Sequence, residues 1–159
     1  GLQPLWGLSK GRNDRDSLRM YLRFGLGFGS VLAAVIFVIL CLFDTQTIRL
    51  FNSDTELVEM ASSVLPVFAA SFIPMAVNLV ITAYLYSVRK NLYADIIALS
   101  RGVFVKAAAI FLLPQIAGAD TVWGAPLAAE LITLIVVILF LQRERRLKNF
   151  KSLTGGKTL

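Results

Sequence analysis

Ionisable side chains inside long apolar runs are the residues best placed for chemistry in this sequence. Each costs about 2.5 to 3.5 kcal/mol to bury in hydrocarbon, so each needs a reason to be there. Glu130 stands seven residues after Trp123, about 10 Å along a helix. Lys106 stands eight residues before Pro114, about 12 Å along the preceding run at the same rise. The two fall at similar depth on consecutive antiparallel helices and are expected to meet. One reading is a proton- or cation-responsive pair lining a cavity. The other is a static ion pair that orients two helices, the usual way to keep either charge buried.

Asp95 precedes Lys106 by eleven residues, about three helical turns, which places both on one face. Arg101 is rotated from Asp95 by roughly 240° on the same wheel. It reads as a helix-end anchor that snorkels to the cytoplasmic surface. Ser71, Met75, Asn78 and Thr82 share one face of another run. That stripe suits an adaptable substrate cavity, and it equally suits hydrogen bonding between helices. Pro66 and Pro74 in the same run are expected to kink it and free backbone carbonyls, a feature common where helices line transport sites.

Other chemistries are excluded. There is no histidine, which removes the commonest general base and metal ligand. Cys41 is the single cysteine, so no intrachain disulfide is possible. No Cys/His metal cluster, Ser/His/Asp set or paired carboxylates are present, so the segment does not read as an enzyme, and no cofactor is implied. The GGKT near the C-terminus is not a phosphate loop. The Gly that motif needs five residues before Gly156 is Lys151.

The elements that must position these residues are membrane helices. Apolar residues make up 57% of the 159 and charged residues 16%, against about 25% charged in soluble domains. Four runs reach the about 20 residues that a crossing needs: 24–43, 60–88, 92–114 and 121–142. Such a set leaves no room for a soluble core. The fold class expected is an all-α integral membrane protein with four transmembrane helices. Gly25 and Gly29 form a GxxxG that permits close helix contact.

The links alternate in charge. Residues 8–23 carry Lys10, Arg12, Arg15, Arg19 and Arg23, and the link near Arg89 and Lys90 is again basic. The tail, 143–159, is polar and basic and reads as mobile. The link 44–59 has one base, Arg49, against four acids, and the link around Asp120 has none. The positive-inside rule then places both ends in the cytoplasm. The net charge of +6 belongs to a membrane surface. Nucleic-acid binding would need a basic face on a soluble fold.

Several segments, in order, resemble the multidrug and toxic compound extrusion (MATE) transporters. The opening GLQPLWGLSKGRNDRD is similar to the QP-x-x-G…G segment that ends a helix there. LFNSDTELVEMASSVLPVF resembles the LF-x-x-D-x-x-(L/V) stretch, and NLVITAYLYSVRK resembles the N-x-x-x-x-x-Y-x-(Y/Q)-(S/A) end of a long helix. FLLPQIAGADTVWGAPLAAELITL resembles the LP…G-x-x-x-(V/I)-W-x-(A/S)-x-P-x-(A/S)-E stretch.

The resemblance implies a twelve-helix, two-lobed transporter, of which this chain is the C-terminal part. Residues 1–23 would be the end of a preceding helix and a cytoplasmic loop, followed by the last four helices. The N-terminal lobe would be missing. The implied function is multidrug efflux by proton or sodium antiport at the plasma membrane, with small amphipathic or cationic compounds as substrates. Glu130 matches the family's Glu in the last helix, and Asn78 and Tyr84 match the tenth-helix pattern. The acid that some sodium-coupled members carry in that helix has no counterpart past Glu59. Transport or coupling candidates are therefore Glu130, Lys106, Asn78 and Asp95. Cavity-lining candidates are Ser71, Met75, Thr82 and Tyr84. The alternatives are a flippase for lipid-linked oligosaccharides from the same superfamily, or a non-transporting membrane assembly subunit.

Overall fold

In the computed structural model the described residues are 2–153, with side chains described to residue 143. Ten helical elements follow in order: α1 (Gln3–Gly11), α2 (Arg15–Leu42), α3 (Asp44–Arg49), α4 (Thr55–Ala70), α5 (Phe72–Ser87), α6 (Asn91–Leu99), a π turn (Ser100–Phe104), α7 (Val105–Ala117), a 3-10 turn (Ala119–Gly124) and α8 (Ala125–Leu153). Among the described residues there is no strand. Four continuous stretches are long and apolar enough to cross a membrane: Arg15–Leu42, Thr55–Ser87, Asn91–Ala117 and Ala119–Arg143.

Local chemistry sets the ends. The Asp14 carboxylate caps α2 by accepting from the Ser17 amide at 3.0 Å. Hydrogen bonding to Ser17 holds its carboxyl below the usual range. Asp54 caps α4 by accepting from the Glu56 and Leu57 amides. Gly118, with φ +98°, ends α7 in a backbone region that a side chain disfavours. The break between α4 and α5 falls at Ser71. Pro74 has no N–H, so the Ala70 carbonyl loses its partner four residues on. Pro74 itself sits in the first turn of α5, where an N–H would be orphaned anyway.

The GxxxG works as a docking face. A Cβ on Gly25 would lie 2.9 Å from Leu2 Cδ1 and 3.3 Å from both Trp6 and Val80, and one on Gly29 would lie 3.4 Å from Val80. The absent side chains let α5 and α1 press against α2. Trp6 stands edge-on to Tyr84 across the same junction, with ring centroids 5.9 Å apart. Gly25→Leu should therefore cost about 1–3 kcal/mol through overpacking. Thermal unfolding would register it, whereas Gly27→Leu, with nothing within 4 Å of its Cβ, should unfold like the parent.

Two small cores hold α8. Ile81, Leu85, Ala94, Ile97 and Val137 join it to α5 and α6. Ala109, Ala125 and Ala129 join it to α7. Most large apolar side chains point outward instead, among them Phe24, Phe28, Val35, Phe111, Ile116 and Leu139. An apolar exterior of that extent would drive a water-soluble protein to associate, and it is the surface that lipid requires.

Candidate functional site

Glu130 projects from the inward stripe of α8, which also carries Ala125, Ala129, Thr133 and Val137. It is 1% exposed. Asn78 on α5, fully buried, donates from Nδ2 both to the Glu130 carbonyl at 3.0 Å and to its carboxylate Oε2 at 2.9 Å. The Arg101 guanidinium, on the π turn, stands with Nη1 3.8 Å from the same Oε2. Glu130 is thus held by a neutral amide and faced by a cation. At an effective dielectric of about 20, unit charges at that separation attract by roughly 4 kcal/mol before desolvation is counted. Desolvation offsets much of that, so the pair is poor evidence of stability in itself.

The partner differs from the one the sequence suggested. Lys106 is half-buried and makes no ion pair with a described residue. Helical phase brings Arg101 to that place. On a wheel of about 100° per residue, Arg101 falls between Ala94 and Ile97, and both of those face the core. The π turn then adds a residue, which turns the rest of the helix back by roughly 100°. Ala109 and Leu113 consequently face α8 on the side that Ala94 and Ile97 already use. The same rotation separates Lys106 from the Asp95 face, so those two do not share one. Arg101 is no helix-end anchor either. It lies ten residues beyond Asn91, about 15 Å along the span and near the bilayer centre.

The other candidates are placed as follows. Asp95 is exposed and accepts a hydrogen bond from the Tyr86 hydroxyl at 2.6 Å. Ser71 is buried at the α4–α5 break. Met75 is half-buried. Thr82 is buried, and its hydroxyl donates back to the Asn78 carbonyl at 2.8 Å. Tyr84 packs edge-on against Trp6. The stripe of Ser71, Asn78 and Thr82 is thus packed between helices, and only Asn78 reaches the carboxylate. Thr133, not singled out before, is also buried, and its hydroxyl donates to the Ala129 carbonyl.

Among the described residues, several polar atoms of the cluster have no hydrogen-bond partner: Asn78 Oδ1, Glu130 Oε1, and Arg101 Nε and Nη1. Buried polar groups are nearly always satisfied, so each exception needs an explanation, a catalytic or binding role being one. A separate groove of about 350 Å³ lies between α4, α7 and the 3-10 turn, lined by Val64, Val67, Leu113, Asp120 and Trp123. Among the described residues no group of His, Cys, Asp and Glu could hold a metal ion.

Four apolar crossings define a multi-pass helical membrane protein, with a buried ionic cluster among its helices. The MatE family profile matches residues 1–112. The chain belongs to the MatE family, whose members are transporters rather than enzymes. The match covers Asn78 and Arg101 and ends before Glu130. No curated protein and no solved structure matches the chain.

Proposed function

We propose that this chain supplies four membrane-crossing helices of a multidrug exporter, in which Glu130 carries the coupling cation. The observation that supports this most is a carboxylate 1% exposed in a transporter helix, positioned by Asn78 and incompletely satisfied. An intramembrane carboxylate is a functional site by default. Its charge changes when a proton or sodium ion binds, and that change can bias two arrangements of the helices packed on it. Exported compounds would be small, amphipathic and often cationic. The membrane would be the plasma membrane with both ends of the chain cytoplasmic, because Lys and Arg crowd the links on that side.

The flippase reading gains nothing from Arg101, whose charge is already directed at Glu130. A non-transporting assembly role predicts no export under any gradient. The test uses vesicles holding the full-length transporter and a fluorescent organic cation. Export should stop when the proton and sodium gradients are both collapsed, and imposing one of the two should restore it. Export that continues with neither gradient contradicts antiport.

A further inference from the structure

Glu130 is held in place and neutralised by different residues. Asn78 fixes the carboxylate with directional hydrogen bonds to Oε2 and to the Glu130 carbonyl. Arg101 contributes charge without a hydrogen bond. Its Nη1 stops 3.8 Å from Oε2, and Nη1 and Nε have no hydrogen-bond partner among the described residues. The carboxylate would therefore keep its position if the guanidinium withdrew.

The element carrying Arg101 is suited to withdrawing. Ser100–Phe104 is a single π turn inside an otherwise α-helical span. Such turns hold one residue more than an α turn and frequently sit at functional positions. Gly102 has open space where a Cβ would be, and Gly102, Val103 and Phe104 are exposed. Nothing described packs over the turn at Gly102 to resist a change of register there.

We propose that Arg101 is a tethered competing cation for Glu130. Its guanidinium faces the carboxylate while the exchanged cation is absent. It withdraws through rearrangement of the π turn when that cation binds. Binding leaves the carboxylate neutralised by the arriving proton or sodium ion, and Arg101 keeps its own charge throughout. Arg101 is thus a positioning residue, acting through Glu130. Other charged groups on the elements around Glu130 do not pair with it: Lys106 on α7, Asp95 on α6, Asp120 on the 3-10 turn, and Glu56 and Glu59 on α4. The proposal rests on the reading of Glu130 as the cation-carrying residue.

The test measures export of a fluorescent organic cation by the full-length transporter in proteoliposomes, titrating protons and sodium in turn. A cation facing a carboxylate competes, by charge repulsion, with any other cation that the carboxylate binds. Arg101→Gln should therefore lower the half-saturating coupling-cation concentration by roughly tenfold or more. Arg101→Lys, which keeps the charge, should stay near the parent. A purely structural role for Arg101 would alter protein amount and maximal rate but leave half-saturation unchanged, and that result overturns the proposal.

A second arm needs no change at Arg101. Gly102→Cys in a background where Cys41 and every other cysteine of the full-length protein are Ser should show maleimide labelling that changes with saturating cation, and Glu130→Gln should abolish the change. Labelling indifferent to the cation also overturns the proposal. If Glu130→Gln exports normally, the coupling reading itself fails. If it is inactive while Arg101→Gln keeps the parental half-saturation, only the competing-cation role fails.

Discussion

Replacing Glu130 by Gln should bring the proposed ion-driven export to background while the protein still reaches the membrane. Gln has nearly the same shape, and its amide oxygen can still accept from Asn78 Nδ2, which now bonds Oε2 at 2.9 Å. What is lost is the charge that a proton or sodium ion would neutralise. The substitution also leaves Arg101 without a counter-ion. Breaking a buried pair from one side costs about 3–5 kcal/mol. The cost here belongs at the low end, because the guanidinium is 3.8 Å away without a hydrogen bond and its side chain is 18% exposed. Protein yield and thermal unfolding should accordingly fall moderately. The double variant Glu130→Gln/Arg101→Gln should recover stability but not export, which separates the two roles of the carboxylate. Normal export by the single variant at parental protein level would remove Glu130 from the mechanism.

Asn78→Leu should be the most damaging single change to the fold of this site. Leu is similar in volume, so packing is roughly kept. The two Nδ2 hydrogen bonds, to the Glu130 carbonyl and to Oε2, are both removed. Hydrogen bonds to charged groups contribute about 1.5–3 kcal/mol each, and an acceptor left buried and unpaired adds its own desolvation cost. A loss of about 3 kcal/mol or more is expected on that basis. Thermal unfolding in detergent measures it. Asn78→Ser, which restores a short donor, should recover part of the loss. Unfolding of the Leu variant at the parental temperature would mean that the Asn78 contacts do not support the site.

Much of this was legible from residue order. The crossings follow from apolar length, and the break at Ser71 follows from Pro74, whose missing N–H strands a known carbonyl. The close α2–α5 contact follows from Gly25 and Gly29. Glu130 and Asn78 stand out because polar groups inside apolar runs need a reason. The partner of Glu130 was harder to find. Depth along two antiparallel helices pointed to Lys106, because depth counts residues and ignores rotation. The face settled it instead. Arg101 lies four residues after Ile97 and seven after Ala94, both small enough or apolar enough to be read as core, and that spacing was the available signal. The π turn was not readable. No proline marks it, and only the packing of Ala109 against Ala125 and Ala129 reveals that the helix has been rephased. The cavity-lining stripe was ambiguous for another reason. Ser, Thr and Asn serve helix–helix contacts and ligand cavities alike, and only burial separates the two uses.

The most direct test of Glu130 as the carrier of the coupling cation is cation release from the purified full-length transporter on addition of an organic cation substrate, followed with a pH indicator and with radioactive sodium. The parent should release proton or sodium when substrate binds, and Glu130→Gln, bound by the same substrate, should release none. Equal release from both proteins would contradict the account.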